Sequence, residues 1–550
     1  MDETKSLNLF AQWKERVLNV FKEHLGVYLL LIVIVAAEHL LSNDFTINIF
    51  FQAIFSGLFE ATSFILIYVF IPQKIRKFYS FLLVSLYELD FLIALISYGF
   101  YGKVMVSEIC VLVLSTNVKE VSEFFTGYIH QLNLSNLIVG GSILLLIIHV
   151  VTIVLKCLLK RQTKVVSYVV ISLYGITLLL LPTQTWLYAN SVPLQIKAVL
   201  NTYIDLSDYV KPAHLVKSRN NQPDDIVLII GESHCKSHCS LYDYEKNTNP
   251  LLNERKRNEE LFVFTDVVSA ATTTIPSFKY MMSTYSYQSS LSWYEEQTLP
   301  QIIKEAGYTS YWFSNQSKLG FWNNVIVKYA NLFDSTYFYE DLVSNDHANN
   351  YDEGVLSLRK QYAIRDDSKK FIVYHLMGSH PDFKQRSPNK FKHFQPYEYK
   401  GVDSNVDEIL AEYDNSLLYN DFVVDSIISC YQQKDALVIY LSDHALDLFQ
   451  TDNQYAGHAK AEKESILCGI KIPFWIYVSP LFKKKHPLVV QRIKDSVNRS
   501  FMTDNLVYVL MDIMGVDFKD DLNKVSECSL LGSDYKIRNR VVNNINIDDL

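Results

Sequence analysis

The strongest constraint on this chain is an uneven distribution of apolar residues. Up to about residue 187 it is dominated by runs long enough to cross a bilayer, and after Trp186 none recurs. A helix rises about 1.5 Å per residue, so about 20 apolar residues cross the hydrocarbon layer. Five runs meet that requirement or come close: Leu25–Leu41, Ile47–Ile71, Phe78–Phe100, Asn136–Leu155 and Val165–Leu187. The expected architecture is therefore a bundle of five transmembrane helices joined to a large polar portion. Mean hydropathy, at +0.07, averages these two opposites.

Basic residues set the orientation. Lys5, Lys14, Arg16 and Lys22 precede the first run. Lys74, Arg76 and Lys77 follow the second, and Lys156, Lys160, Arg161 and Lys164 follow the fourth. The turn after the first run, SNDFT, has no Lys or Arg. This alternation predicts a cytoplasmic N-terminus, a multi-pass protein of the cytoplasmic membrane and a C-terminal portion outside the cytoplasm. No small-residue cleavage site follows the first run, so it reads as an anchor. Glu60, Glu88, Asp90 and His149 lie within the spans, where a charge needs a partner or a cavity. They read as polar contacts between helices or as a polar lining near a lipid headgroup. Between Tyr101 and Ser135 the outer segment is partly apolar, and STNVKEVSEFF reads as a short helix capped by Ser115 or Thr116.

The formal charge of −8 (51 basic against 59 acidic residues) argues against a nucleic-acid-binding surface, which needs clustered Lys and Arg. Seven cysteines are too few and too scattered for a disulfide scaffold. Cys235, Cys239, Cys430, Cys468 and Cys528 lie in the outer portion, an odd set that leaves at least one thiol free or paired between chains.

Residues 188–224 turn polar, with Pro193, Pro212 and Pro223, and read as a connector. Beyond them, strand and helix patterns alternate. IVLII (226–230), LFVF (261–264), SYWF (310–313), FIVYHL (371–376) and ALVIYL (436–441) are continuous β-branched and aromatic runs, as in strands buried on both faces. TLPQIIKEAG and VDEILAEYDNSLLYNDFVVDSII read as helices. This order predicts an α/β domain with a mostly parallel central sheet covered on both sides. In such sheets ligands bind beyond the carboxyl ends of the strands. There the sequence places Gly231-Glu232-Ser233, Gly378-Ser379-His380 and Ser442-Asp443-His444.

Glu232, Asp443 and His444 make a mixed oxygen and nitrogen donor set suited to zinc or manganese. Three protein ligands leave a position for a nucleophile or substrate. Thr272, Thr273 and Thr274 follow another strand-like run; they read either as a metal-activated nucleophile or as a threonine-rich N-cap for the helix PSFKYMMS. His380 and His458 are candidates for phosphate contacts, a second metal or proton transfer. Lys318 is a candidate to offset phosphate charge.

These motifs resemble the membrane phosphoethanolamine transferases of the alkaline phosphatase and sulfatase superfamily. The most specific stretch is GESHCKSHCSLYDYEKNTNPLL; FTDVVS, AGYTSYWFSNQS, HLMGSHPDF, YDNSLLYND, LSDHALDLF and IKIPFWIYVSP follow in order. The resemblance implies domains at 1–187 (five transmembrane helices), 188–224 (connector) and 225–550 (periplasmic catalytic domain). It implies a zinc site on Glu232, Asp443 and His444, with a threonine nucleophile as fourth partner, and leaves a second zinc open. Counting back from Ser283 maps the nucleophile to Thr274, with Thr272 and Thr273 as fallbacks. His380, His458 and Lys318 fall on substrate or second-zinc positions, and Thr116 and Glu120 keep the Thr-x-x-x-Glu spacing of the donor headgroup site. The asparagine expected one turn earlier is Leu112, the motif arginine is Lys236, and the glycine of SLYGY is Asp243. Cys235 and Cys239, beside His234 and His238, form a local cluster open to a disulfide, a metal or neither.

The implied reaction carries phosphoethanolamine from phosphatidylethanolamine through Thr274 to an outer-leaflet or periplasmic glycolipid or glycan, lipid A or lipopolysaccharide core first among them. The expected partners are those two substrates and membrane lipids, with no nucleic acid. Rival readings are a phosphoglycerol transferase of the same fold and a non-catalytic membrane receptor or assembly factor.

Overall fold

A computed structural model describes most residues of 12–91 and of 204–549. The third apolar run beyond residue 91, all of the fourth and fifth, and Thr116 and Glu120 lie outside the described residues. The described chain forms two compact units, divided between residues 91 and 204.

In the first unit, helices α1 (Leu25–Leu41) and α2 (Ile47–Phe70) correspond to the first two apolar runs. The side chain of Thr46 caps α2 by accepting from the Ile49 amide at 3.2 Å. Pro72 pushes Ile71 into the extended region (φ −69°, ψ 132°) and ends the helix. Arg76 then donates to the carbonyls of Ile71 (2.7 Å) and Val69 (3.1 Å), satisfying acceptors that the helix end leaves bare. Gly57 lets the two helices meet closely: a Cβ there would come 2.6 Å from the Ile32 carbonyl oxygen. Tyr28 and Thr62 share a buried hydrogen bond of 3.0 Å, and the Tyr87 hydroxyl donates to Glu60. Glu60 is thus a polar contact between helical segments. Among the described residues, α2 is the one unbroken helix long and apolar enough to span a membrane.

The second unit is built on a seven-stranded sheet. Its strands are β1 (Asp225–Gly231), β2 (Leu261–Val263), β3 (Thr309–Ser314), β4 (Ser335–Phe338), β5 (Lys370–His375), β6 (Ala436–Ser442) and β7 (Phe474–Val478). Their spatial order is β2-β7-β6-β1-β5-β3-β4. The five strands from β6 to β4 pair in parallel, whereas β7 runs antiparallel to both β6 and β2. The sheet is therefore mixed at one end.

The continuous apolar runs are explained by burial on both faces. Ile226, Leu228 and Ile230 enter one core, and Val227 and Ile229 enter the other. Each such side chain contributes about 1.5–3 kcal/mol on full burial. The first core also takes α4 (Thr274–Met281) and α5 (Leu299–Glu305), by way of Phe278, Met281, Ile302 and Ile303. The second takes the C-terminal half of α6 (Ser404–Ser429), by way of Val423, Val424, Ile427 and Ile428. A shorter helix, α3 (Pro250–Arg257), lies between β1 and β2 in sequence.

The sequence expectation fails in two places. LFVF is a short edge strand, and two of its three residues are only half-buried. Two strands lie outside the expected set: β4 (STYF) is short and mixed in polarity, and β7 enters antiparallel at the far end. Residues 215–217 also pair with 516–518, so the connector's end packs on this unit.

Candidate metal centre

Strand register brings the chemistry together. Gly231 pairs with Ser442, and Ile230 pairs with His375. The residues that follow therefore leave the sheet side by side at the carboxyl edge. Ligand atoms of Glu232, Asp443 and His444 all lie within 4.8 Å of one another, and all three residues are buried. His444 Nε2 is 3.2 Å from Glu232 Oε1 and 3.5 Å from Asp443 Oδ2. Its Nδ1 donates to the Ala445 carbonyl at 2.9 Å, which turns Nε2 toward the two carboxylates.

Thr274 completes the group. It opens α4, and its Oγ1 lies 3.3 Å from Glu232 Oε2 and 3.2 Å from His444 Nε2. Thr273 occupies the N-cap position but makes no side-chain cap bond. Thr272 is buried with its Cγ2 packed on Gly469. Of the three threonines, Thr274 is the one in hydrogen-bond contact with the buried donors.

Burial opposes charge at each donor, and the donors then act on one another. Desolvation raises the Glu232 pKa, but His444, together with His380 and the Ser233 hydrogen bond, holds that carboxyl well below its usual range. Burial pushes Asp443 well up, and the Glu232 charge adds to the shift. Burial lowers His444, but Asp443 and Glu232 together carry it up to about 9. Asp443 Oδ2 is buried without a hydrogen-bond partner. Two carboxylates and an imidazole, one carboxylate oxygen orphaned and a hydroxyl at the rim, fit a divalent cation such as zinc.

His458 sits beside this group, its ring 4.7 Å from that of His444. Burial, then the His444 charge, lowers its pKa to about 3, and its Nδ1 is buried without a hydrogen-bond partner. His380, half-buried, exerts its charge on both Glu232 and His458. Lys318 is exposed on the loop after β3. Its neighbour Gln316 reaches inward, donating to the Leu376 carbonyl (2.9 Å) and to Glu232 Oε2 (3.5 Å).

Several positioning residues were not singled out by the sequence. Asp352 accepts from the amides of Met377 (2.7 Å) and Gly378 (2.9 Å) and from Asn315 Nδ2 (2.9 Å). Arg386 donates to the carbonyls of His380 (3.0 Å) and Pro381 (2.8 Å). Together they hold the loop that carries His380. Gly378 (φ +53°) is required there, because a Cβ would come 2.7 Å from the Glu232 carbonyl oxygen. His375 packs on Phe278 and Trp312, and burial lowers its pKa to about 4.

The variant positions in the GES loop also find an explanation. Asp243 adopts the left-handed conformation (φ 67°, ψ 22°), which favours glycine and which Asp tolerates. The Lys236 ammonium donates to the Thr265 carbonyl and lies 5.0 Å from the Tyr242 ring centre. Cys235 and Cys239 are free thiols that belong to different cores, and burial pushes both up to about 12. His234 pairs with Tyr440 (2.8 Å) and His238 with Asp414 (2.8 Å), so this local cluster has separate partners.

A two-sided α/β sheet thus delivers carboxylates, an imidazole and a threonine hydroxyl to its carboxyl edge. The sulfatase family model matches residues 224–516, and the chain belongs to that family, within the alkaline phosphatase and sulfatase superfamily. It is similar to phosphoethanolamine transferase EptC of Escherichia coli, at 27% identity over 312 residues, 56% of this chain and 53% of that one. The chain thus spans about half the length of the curated relatives it matches. The C-terminal periplasmic domain of EptC from E. coli, solved as a complex with Zn, is 25% identical with a TM-score of 0.56, covering 62% of this chain and 97% of that one. The integral membrane protein lipooligosaccharide phosphoethanolamine transferase A of Neisseria meningitidis shares the fold over 93% of this chain and 97% of its own, with a TM-score of 0.64 at 18% identity.

Proposed function

We propose that this protein transfers phosphoethanolamine from phosphatidylethanolamine to an envelope glycolipid or glycan, with lipid A or lipopolysaccharide core as the leading acceptor, through a phosphothreonine on Thr274. In this reading residues 1–187 form a membrane domain of five helices in the inner membrane with a cytoplasmic N-terminus. Residues 188–224 connect it to a periplasmic catalytic domain, 225–550. Similarity to named phosphoethanolamine transferases supports the substrate class. The observation that carries the mechanism is the pair of Thr274 contacts, 3.3 Å to Glu232 and 3.2 Å to His444.

Glu232, Asp443, His444 and Thr274 Oγ1 would hold the zinc ion. When bound, zinc supplies Lewis-acid polarisation of the attacking hydroxyl and offsets charge on the phosphoryl oxygens. In the first half-reaction Thr274 Oγ gives its proton to solvent and forms a bond to phosphorus while the bond from phosphorus to the diacylglycerol oxygen breaks. That oxygen leaves with a proton from His380. His458, kept neutral by burial, suits a contact with the phosphoryl group or proton removal from the acceptor. In the second half-reaction the acceptor oxygen gives its proton to His458 and forms a bond to phosphorus, while the bond from phosphorus to Thr274 Oγ breaks and Thr274 Oγ takes a proton from water. Lys318 offsets phosphate charge at the rim, while Thr116 and Glu120 hold the donor headgroup.

The test is Thr274→Ala in the full chain, supplied with phosphatidylethanolamine labelled in its headgroup. Label should reach neither protein nor acceptor, while the variant still folds. Full transfer by Thr274→Ala, with loss in Thr272→Ala or Thr273→Ala, would move the nucleophile. Binding of lipid or glycan by the parent without turnover would make the chain a receptor.

A further inference from the structure

The YDNSLLYND stretch of α6 has no part in the chemistry above, yet its polar side chains are buried. One of them reaches the candidate centre through a single strained residue. Ser233 follows Glu232 directly, is fully buried and has φ +56°, in the left-handed region that a serine rarely enters. In that conformation it serves both carboxylates. Its Oγ donates to Glu232 Oε1 at 2.7 Å, and its amide donates to Asp443 Oδ1 at 3.3 Å.

What holds Ser233 there is the Tyr413 phenol. The hydroxyl donates to the Ser233 carbonyl at 2.7 Å and accepts from the Cys235 amide at 2.8 Å, closing the turn from both sides. The ring is fully buried, with Phe383 at 5.0 Å and His238 at 5.3 Å edge-to-face, so the hydroxyl has little freedom to move away. Without it the turn would keep the His234 amide bond to Ser442 Oγ (2.9 Å), but Ser233 would relax toward negative φ. Its Oγ then swings off Glu232 and its amide off Asp443, and each carboxylate loses a donor that orients it.

We infer that Tyr413 is a positioning residue for the cation site, acting through Ser233 to aim the carboxylates of Glu232 and Asp443. This rests on the metal reading of those residues. Donors behind the ligands of a metal commonly govern its affinity by about 10–100-fold.

The experiment measures the zinc dissociation constant of the full chain by competition with a chromophoric chelator. It compares the parent, Tyr413→Phe, Ser233→Gly and the double variant. Glycine keeps the turn conformation accessible but removes the Oγ donor. Tyr413→Phe should weaken zinc binding about 10-fold or more. Ser233→Gly should weaken it as well, and Tyr413→Phe should add little in the Ser233→Gly background. A role confined to packing would lower the melting temperature and leave the zinc constant within about twofold. That result in Tyr413→Phe overturns the assignment, as does full additivity of the two substitutions. If Tyr413→Phe does not fold, the Ser233→Gly constant decides: an unchanged value overturns the assignment and a weakened one supports it. A parent chain that takes up no zinc overturns the metal reading and this assignment with it, whereas a parent that binds zinc while both single variants bind it equally overturns this assignment alone.

Discussion

The two units bury polar groups in opposite ways. In the helix pair they are few, and they meet one another between helical segments: Tyr28 with Thr62, and Tyr87 with Glu60. The exposed face is apolar, with Ile47 at 77% and Phe70 at 75% exposure. In the second unit the apolar residues are inside, and buried ionisable groups gather at one edge of the sheet. There two carboxylates and an imidazole lie so close that their charges cannot all be satisfied by one another. The hydrogen bonds named in the first lie within the protein, whereas the second leaves Asp443 Oδ2 without a hydrogen-bond partner and fits a cation. In the proposed reading, buried polarity in the one serves packing and in the other binding.

Metal removal should separate the two most sharply. Chelation should abolish headgroup transfer and lower the melting temperature of the second unit by several degrees, since a bound ion stabilises only the folded state. Helix content of the first unit should hold, as followed by circular dichroism. Glu232→Gln should reproduce the loss of transfer, by about 10²–10³-fold. A chelated protein with unchanged activity and melting would remove the distinction.

The reciprocal perturbation is Gly57→Leu. Its added side chain meets the Ile32 backbone and should cost the helix pair about 1–3 kcal/mol. Zinc content of the second unit should remain at the parent value, and a fall in zinc would show that the units are not independent.

A third expected effect, spread over a pH range, concerns a buried carboxyl away from the candidate centre. Asp421 accepts from the amides of Leu251 (2.9 Å) and Leu252 (3.1 Å) at the start of α3, and burial pushes its pKa up to about 7. The folded chain therefore keeps a proton that the unfolded chain has already released. Its contribution to stability is complete below about pH 3.9 and is lost as pH rises to about 7. Denaturant unfolding of the second unit across that window should fall more steeply with pH for the parent than for Asp421→Asn. Equal slopes would place the Asp421 carboxyl at its ordinary range.

Much of the sheet was legible because β1, β3, β5 and β6 are continuous apolar runs. The edge strands were less so: half-exposed strands lose that signature, and LFVF and STYF do not differ from loop sequence by composition alone. Glu232, Asp443 and His444 could be read because each follows a buried run, and strand ends in such sheets point to one edge. The three adjacent threonines could not be separated by spacing. Only the path of α4 turns Thr274 toward the donors and buries Thr272 against Gly469. Gln316 and Tyr413 stand in motif stretches, but nothing local told what they touch, and Asp352 left no signal, because each acts on a backbone or carboxylate elsewhere in the chain.

Chain chemistry alone dictates the division into an apolar helical part and an α/β part, since the length and continuity of an apolar run are read without reference to any other segment. The hydrogen bonds that orient Glu232, the loop that carries His380 and the turn at Ser233 were settled by tertiary structure. Each depends on strand order and on which helix lies over which strand, and contacts between residues tens of positions apart, or 180 in the case of Tyr413 and Ser233, are not written in the spacing of neighbours.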